Sequence, residues 1–438
     1  MASMDLEDVT EEELLRELTR RRVARMGSDS AEAEEAALVA GEELGRAALQ
    51  EWLNTGSSRE TSTAKPCPQC GKPVPVRGKK RERTLRAVSG EVRVARNYHY
   101  CSACRAGFHP LDRQLGLPEH GTLTAAMERR VLDFGVNDPF EEASARWSVH
   151  YPTTISENLV RCVVERVGLA LGAANRDRIQ TLALPKRAAV ADVLVVQADG
   201  GMVPTRDTDR WREVKVGAVV RQDCHLSSRE APRGRVVEAR YAAHLGGVDE
   251  FRERLDALLR AESANDVPCV VWVGDGAPWI WNIADEICPR AIQVLDWYHA
   301  IEAASECAKS VMGPTDPCVR LFVARVKQLL WEGSIDALQA ELQACRFLSS
   351  NEAQKALTGL SGYYEKNRHR LRYRELVDRG LVIGSGIIEA ANKHVIQTRM
   401  KLAGQHWNTT RADRMADLRA LYSTTGPARL HTVIRQAA

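Results

Sequence analysis

The sequence of 438 residues lacks any run of about 18 consecutive apolar residues, the length that a membrane-spanning helix needs. Its first residues, MASMDLEDVTEEELLRELTRRR, are acidic and amphipathic, whereas a secretory signal starts with basic residues followed by an apolar stretch. It also has no internal repeat and no low-complexity tail. These absences predict a soluble protein that acts inside the cell and has no membrane partner.

The net charge is small, at +3, but it is unevenly distributed. The first 50 residues are rich in Glu, while two short runs are strongly basic, VRGKKRERTLR at 76–86 and KNRHRLRYR at 366–374. A basic run of this kind is either a solvated face or a contact for a polyanion, and composition alone does not decide between the two.

Four of the eleven cysteines form two Cys-x-x-Cys pairs, in CPQC and CSAC, with 30 residues between them. Each pair can present two thiolates to one ion, and two pairs complete the tetrahedral coordination that zinc prefers. Such a site leaves no open position, so its zinc is structural. A redox pair or free thiols are the alternative. The predicted zinc ligands are Cys67, Cys70, Cys101 and Cys104.

The N-terminal part divides into three segments. Residues 1–60 have helical periodicity and end in a polar linker, residues 61–115 contain short strands around the cysteines as in a zinc ribbon, and residues 116–185 form several short helices. These helices form either a helix-turn-helix, with its recognition helix at about 156–167, or a small helical cluster without DNA contact.

The central part contains strands and helices in a distinctive order. Three apolar strands follow one another with no room for a helix between them, and strand and helix then alternate. We therefore predict an α/β fold with a mixed sheet whose first three strands form an antiparallel meander. The predicted strands are 193–200, 211–220, 235–245, 267–276 and 291–297. After them the chain is helical to about residue 379, turns sharply at LVIGSG and resumes as a helix.

Three carboxylates stand where a structural role is awkward. Asp199 and Asp275 each end an apolar strand next to glycines, and Glu389 lies one turn into the helix that GSG opens. An acid at the end of a buried strand is costly without a partner, and a second acid nearby makes it more so. Two Mg²⁺ ions would relieve that cost and support phosphodiester chemistry. Taken singly, an Asp-Gly after a strand is also a common turn.

As a set, three stretches resemble the DDE transposases of bacterial insertion sequences, most closely the ISKra group and more distantly the Mutator-like group. They are QADGGMVPTRDTDRWREVKVGAVV, VVWVGDGAPWIWNIADEICPRAIQVLDWYHAIE and GLVIGSGIIEAANKHVIQTRMKLAGQHWN, and the resemblance covers about residues 60–420. It implies a ribonuclease H-like catalytic domain at 186–312 and 380–425, interrupted by a long all-helical insertion at 313–379.

The resemblance also implies the chemistry. In such enzymes two aspartates and a glutamate hold two Mg²⁺ or Mn²⁺ ions, which by position gives Asp199, Asp275 and Glu389 here. The ions support hydrolysis at the ends of the element, after which the freed 3′-hydroxyl attacks target DNA. Asp296 and His299, in LDWYH, match an acid-x-x-His signature that lies near the active site in related transposases; a satisfied pair at a helix start is the alternative.

Residues after Glu389 are candidates for DNA contact. Those three and four positions further along share its helix face, and the basic and aromatic residues beyond them could neutralise phosphate or stack on an unpaired base. An exposed helix end with a packed Trp is the alternative for the latter. The predicted nucleic-acid contacts are Asn392, Lys393, Arg399, Lys401 and Trp407.

The expected partners are double-stranded DNA, comprising terminal inverted repeats and target DNA, and further copies of the chain, as a homodimer or higher oligomer. The expected location is the bacterial cytoplasm, at the nucleoid. Two other functions stay open. One is a different ribonuclease H-like DNA nuclease, and the other is a domesticated zinc-ribbon regulator that binds DNA without cutting it.

Overall fold

A computed structural model of the chain describes residues 10–23, 29–118, 121–181, 193–207, 210–226, 232–347 and 350–437. The chain divides into two compact units, residues 1–163 and 164–438. Among the described residues, no helix combines the length and the apolar character needed to cross a membrane.

The first unit begins with two helices whose ends carry favourable charges or caps. Helix α1, Glu11–Val23, has three Glu in its first turn and three Arg in its last, which suits the helix dipole. Helix α2, Ser30–Arg59, begins where the Asp29 side chain accepts hydrogen bonds from two backbone N–H groups. The described part of the helical segment predicted for residues 1–60 therefore forms two helices.

The cysteine-containing segment is built from five strands. They are β1 Lys65–Pro66, β2 Pro73–Val74, β3 Val76–Ala87, β4 Gly90–Cys101 and β5 Ala106–Phe108. β1 pairs with β2, and β3, β4 and β5 form an antiparallel sheet in that order. One face of the long β3–β4 hairpin packs Leu85 and Val92 against Leu53 of α2 and against Leu111, so helix and hairpin share a core.

Helices follow, the first of them still within residues 61–115 and the others in the region predicted to be helical, 116–185. They are α3 Pro110–Gln114, α4 Ala125–Asn137, α5 Phe140–His150 and α6 Glu157–Thr181. Trp147 of α5 is fully buried and its ring contacts Phe134 of α4 and Tyr151, so aromatic packing joins these helices. The stretch predicted as a recognition helix forms the first turns of α6, and α6 continues across the division between the two units.

The second unit contains a five-stranded mixed sheet. Its strands are β6 Val193–Pro204, β7 Trp211–Leu226, β8 Pro232–Leu245, β9 Cys269–Gly274 and β10 Ile292–Leu295, in the order β10-β9-β6-β7-β8. β6, β7 and β8 are antiparallel neighbours, whereas β9 is parallel to both β6 and β10. The predicted mixed α/β architecture and its antiparallel meander are confirmed.

Helices connect and cover the later strands. They are α7 Val248–Ala261, α8 Pro278–Ile287 and α9 Trp297–Met312. Phe251, Leu255 and Leu259 of α7 recur every four residues and are buried, which gives this helix one apolar face. A Cβ at Gly217 of β7 would lie 2.9 Å from the Leu255 side chain, so glycine there lets α7 approach the sheet closely.

The remaining chain is helical. Its helices are α10 Cys318–Glu332, α11 Ile335–Phe347, α12 Asn351–Lys366, α13 Tyr373–Asp378, α14 Gly386–Ala391, α15 Thr398–Met400 and α16 Thr409–Ala437, with a π-helical turn at Asn392–Gln397 between α14 and α15. The described part of residues 313–379 contains no strand, as predicted. The chain then returns to the sheet, where the Trp297 backbone N–H donates to the Ile383 carbonyl at 2.9 Å.

Candidate active site

Three acidic residues lie at one edge of the five-stranded sheet because their strands are parallel neighbours. The last pair between β9 and β10 is followed directly by Asp275 and Asp296. The last pair between β6 and β9 lies two residues before Asp199 and Asp275. Carboxyl ends of parallel strands meet at one edge, with neighbouring strands about 4.8 Å apart. The structure therefore brings these three predicted site residues together.

Asp199 is half-buried and held by two hydrogen bonds. Its Oδ1 accepts from the Gly200 backbone N–H at 2.7 Å, and its Oδ2 accepts from the Asn392 side-chain amide. Burial raises the pKa of Asp199, and the charge of Asp275 raises it further, while the Gly200 and Asn392 hydrogen bonds act in the opposite direction. The net pKa lies above the ordinary value, as expected where two acids share a partly dry site.

Asp275 occupies a sharp turn after β9. Its Oδ1 accepts from the Ala277 backbone N–H at 2.8 Å, and Gly276 has a φ of 104°, which only glycine adopts without strain. The Tyr363 hydroxyl of α12 donates to the Asp275 carbonyl at 3.1 Å. The other oxygen of the Asp275 carboxylate has no hydrogen bond among the described residues, so the turn fixes this side chain while leaving one oxygen available.

Asp296 and His299 form an ion pair at the start of α9. Asp296 is fully buried, and its Oδ1 accepts from the His299 backbone N–H at 2.7 Å and from the His299 ring Nδ1 at 2.9 Å. Its Oδ2 accepts from the Ser385 backbone N–H at 2.5 Å. Burial raises the pKa of Asp296, but these hydrogen bonds outweigh it and the net pKa lies below the ordinary value.

The same pair keeps His299 positively charged. The hydrogen bond to Asp296 raises the pKa of His299 to about 9, and the negative charge of Asp275 adds to this effect. At neutral pH, His299 therefore places a cation beside the acidic edge of the sheet.

A titration of His299 tests this assignment. Its pKa is raised on folding, so the stabilisation is complete below the unfolded pKa of about 6.5 and is lost as pH rises through about 9. We expect the NMR resonances of its ring to titrate near pH 9, and Asp296→Asn to lower that midpoint by more than one pH unit. A midpoint near 6.5 in the unmodified protein would contradict the pair.

Glu389 is exposed on α14 and is connected to the buried acids through its neighbours. Its Oε1 accepts from the Ser385 hydroxyl at 2.8 Å, and the backbone of Ser385 is the donor to Asp296. Asn392, one turn further along, is the donor to Asp199. The segment that carries the third acid is therefore bonded to both Asp199 and Asp296.

Gln197 holds the segment that carries Glu389 in place, although none of the sequence motifs marked it as a site residue. It is fully buried on β6, its Nε2 donates to the Gly384 carbonyl at 2.9 Å, and its Oε1 accepts from the Ile388 backbone N–H at 3.0 Å. The signal was present in the sequence, since a lone amide within the apolar run VLVVQA needs a partner. No comparable sequence signal marked Ser385 or Tyr363 as residues that bond to the acids or their backbone.

The oxygen atoms at this edge fit a hard divalent cation in their chemistry. Carboxylates and amide oxygens are its preferred ligands, and the buried Oδ1 of Asn392 has no hydrogen-bond partner among the described residues. The carboxylates of Asp199, Asp275 and Glu389 do not all lie within 4.8 Å of one another. Among the described residues, only the cysteine quartet has three or more His, Cys, Asp or Glu ligand atoms within 4.8 Å of one another.

Two of the predicted nucleic-acid contacts are placed inside the second unit instead, which corrects that part of the prediction. Arg399 is 1% exposed, with its guanidinium 5.2 Å from the centre of the Trp407 ring. Trp407 is also buried, and its Nε1 donates to the Met400 carbonyl at 3.0 Å. Neither side chain faces solvent, because the two pack against each other.

The other predicted contacts differ in their surroundings. Lys393 and Lys401 are exposed, and the Lys401 ammonium lies 5.7 Å from the centre of the Trp211 ring. Asn392 is buried and bonds to Asp199, so it acts on the acid. It begins the π-helical turn, an irregularity that often occurs at functional sites.

The four predicted zinc ligands of the first unit come together. Cys67 and Cys104 sulfurs lie 3.9 Å apart and those of Cys70 and Cys101 3.8 Å apart, and all four lie within 4.8 Å of one another. A tetrahedral zinc with Zn–S bonds of about 2.3 Å needs sulfurs about 3.8 Å apart. The quartet can therefore bind a metal such as zinc.

The protonation chemistry of the quartet agrees with this geometry. Hydrogen bonds from the backbone N–H groups of Cys70 and Gln69 lower the pKa of Cys67 to about 7, as in a knuckle that favours a thiolate. The neighbouring sulfurs raise the pKa of Cys104 to about 12. Four thiols this close cannot all ionise unless a cation balances their charge.

Comparison with known sequences assigns this chain to a protein family. Residues 76–435 match the profile of UPF0236, described as an uncharacterised protein family. A relative from Streptococcus gallolyticus, named "UPF0236 protein in vanSb 3'region", is 21% identical over 318 residues. That alignment covers 71% of this chain and 66% of the relative. Neither name states an activity.

Proposed function

The chain belongs to UPF0236, an uncharacterised protein family, and from its own residues we propose that it is a DNA transposase of the DDE type. In this proposal the second unit has a ribonuclease H-like catalytic core, interrupted by the helical residues 313–379. The core cleaves phosphodiester bonds at the ends of a mobile element and joins the freed 3′-hydroxyl to target DNA.

One observation carries the proposal. Asp199 and Asp275 lie at the same level on neighbouring parallel strands, and the segment bearing Glu389 is bonded to that edge by Gln197 and Asn392. If these acids served only packing or turns, no buried side chains would be needed to hold the helix of Glu389 beside them. Two acids and the helix of a third at one sheet edge suit metal-dependent phosphodiester chemistry.

Asp199, Asp275 and Glu389 would hold two Mg²⁺ or Mn²⁺ ions, which supply a Lewis acid for the scissile phosphate and activate the attacking hydroxyl. Asn392 keeps the Asp199 carboxylate oriented. Asp296 keeps His299 positively charged. This charge attracts the DNA phosphates towards the site and offsets the repulsion between the phosphates and the acids. Gly276 allows the turn that presents Asp275, because its φ of 104° and the Tyr363 ring, 3.0 Å from where a Cβ would lie, leave no place for a side chain.

We propose DNA as the partner of both units, including the terminal repeats of an element and its target. Lys393 and Lys401 are exposed close along the chain to Glu389 and Asn392, so they are the contacts that remain from the predicted set. Two element ends must be joined in one event, which calls for at least two copies of the chain.

A strand-transfer assay tests the proposal. Purified protein is incubated with labelled duplexes from both flanks of its gene, a supercoiled target plasmid and Mg²⁺. We expect cleavage at the element ends and labelled product covalently joined to the plasmid. Cleavage without joining would identify a nuclease of the same fold instead. Binding without cleavage in either Mg²⁺ or Mn²⁺ would identify a regulator, and both results would overturn the proposal.

Gln197 should control activity through position alone. Gln197→Met leaves the Gly384 carbonyl and the Ile388 N–H without their partner, at a cost of roughly 1–3 kcal/mol for each group left unpaired. We expect DNA cleavage to fall at least about tenfold while DNA affinity is unchanged, because misplaced acids lose reaction geometry before they lose binding. Urea unfolding and cleavage rates measure the two effects.

Gln222→Met is the matched control. Gln222 is also a buried glutamine of the same sheet, on β7, and its Nε2 donates to the Gly380 carbonyl at 2.9 Å, which lies before the residues 384 and 388 that Gln197 holds beside the acids. It should lose stability and keep its cleavage rate. Equal loss of activity in both variants would show that Gln197 contributes stability only.

A further inference from the structure

The positive charge of the chain is concentrated in the cysteine-containing segment. Residues 61–109 contain eleven Lys or Arg and two Glu. The whole chain has 61 basic and 58 acidic residues, so the rest of it has 50 basic against 56 acidic. This segment alone makes the protein basic, and metal coordination by four cysteines accounts for none of those cations.

Four of these cations form a cluster on strand β3, and no acid among the described residues forms an ion pair with any of the four. They are Arg77, Lys79, Lys80 and Arg81, and all are exposed. The pattern on α1 is the opposite. Arg16, Arg20 and Arg21 each pair with a Glu of the same helix. The cations of β3 are thus unlike an ordinary solvated face with balanced charges.

Aromatic rings hold two of the four in place. The Arg81 guanidinium lies 4.6 Å from the centre of the Tyr98 ring, and the Arg77 guanidinium lies 5.9 Å from that of Tyr100. The two tyrosines are two residues apart on β4 and so project from the same face of the sheet. A guanidinium that lies over a ring face still has its N–H groups in its own plane, where they are free to bind an anion.

The strand is irregular where the cations are densest. The register of β3 against β4 shifts at Gly78 and again before Arg81, and Lys80 has a positive φ of 45°. Bulges of this kind change the direction of side chains and commonly occur at functional positions. Here three consecutive cations, 79–81, follow the bulged glycine, and a Cβ at Gly78 would lie 2.6 Å from the Arg81 Nε.

We propose that this cluster, which we call the β3 cation face, is a docking surface for the phosphate backbone of duplex DNA. Stacked arginines and unpaired lysines provide the contacts that polyanions use, and they read charge and shape with no base contact. The choice of DNA among polyanions rests on the proposed function. The zinc-binding strands then serve to hold a phosphate-binding hairpin rigid.

The salt dependence of binding tests the β3 cation face. The full chain carrying Arg77→Gln, Lys79→Gln and Arg81→Gln is titrated with a labelled duplex between 50 and 300 mM NaCl, and fluorescence anisotropy gives the affinity. Each phosphate that the variant no longer neutralises should reduce the slope of log affinity against log salt by about 0.9. We expect a slope smaller by about two to three, an affinity at least about tenfold lower at 100 mM NaCl, and unchanged zinc content.

The control variant carries Arg16→Gln, Arg20→Gln and Arg21→Gln, which remove the same charge from α1, and it should keep the original slope. An unchanged slope in the β3 variant would overturn the proposal, as would an equal change in both variants or an effect seen with RNA alone. Failure here is distinct from failure of the transposase proposal, because slope and strand transfer are separate measurements. A reduced slope without strand transfer would retain the docking surface and reject the enzyme.

Discussion

Asp275→Asn should reduce DNA cleavage by at least about a hundredfold to a thousandfold and leave DNA binding within a factor of two. An amide has the shape of the carboxylate, and its oxygen can still accept from the Ala277 N–H, so the turn after β9 is kept. Asparagine lacks the negative charge with which Asp275 would bind a metal ion. Loss of one charge or one hydrogen-bond donor at an active site commonly lowers the rate by about this factor.

The measurement compares cleavage rates and duplex affinities for the two proteins in Mg²⁺ and in Mn²⁺. Asp249→Asn is the charge-matched control, since Asp249 is an exposed acid on α7, and it should cleave like the unmodified protein. The pKa of Asp199 should also fall in Asp275→Asn, because the charge of Asp275 raises it. Cleavage at an undiminished rate would remove Asp275 from any metal-binding role.

Loss of metal from the cysteine quartet should unfold the segment around it. Structural zinc contributes about 10–16 kcal/mol of apparent binding free energy in small zinc modules, which exceeds the stability of most domains. Around the quartet, the small core of Cys67, Val74 and Cys101, with Phe108 packed against it, is too limited to replace that contribution. We expect a chelator, or Cys101→Ser, to release one zinc per chain.

Limited proteolysis shows which part of the chain unfolds when the metal is lost. After zinc release, cleavage should appear within residues 61–109, while the five-stranded sheet of the second unit stays protected. Cys162→Ser is the control, because Cys162 is an exposed cysteine of the same unit outside the quartet. It should keep its zinc and its protease resistance. A chelated protein with an unchanged digestion pattern would show that the segment folds without metal.

The fold of the second unit was predictable because each of its signals is local. Apolar runs mark the strands, and the short connections between the runs at 193–200, 211–220 and 235–245 leave no room for a helix, which allows only an antiparallel start to the sheet. The predicted strands at 193–200 and 235–245 extend to Val193–Pro204 and Pro232–Leu245. The cysteine spacing was equally informative, since four thiols at that spacing have few other uses.

The site was predictable only in part, because a sequence shows the type of each residue but not the direction in which its side chain points. Asp199, Asp275 and Asp296 follow from strand ends, and strand ends meet in parallel neighbours. In the sequence, Arg399 and Trp407 have residue types that often contact DNA. The π-helical turn before them alters the helical phase, however, and both side chains are buried. Contacts between segments nearly 200 residues apart, such as Gln197 with Ile388, are beyond local patterns.

The two hydrogen bonds that join residues 296–297 to 383–385 give the helical excursion between them a single point of entry and exit. Closing a longer loop costs little, about 0.6 kcal/mol for each doubling of its length. The number of residues in the excursion is therefore almost independent of the geometry at its base. A chain built this way can gain or lose residues in the excursion without altering its base, provided that α12 is kept, because the Tyr363 hydroxyl donates to the Asp275 carbonyl at the acidic edge.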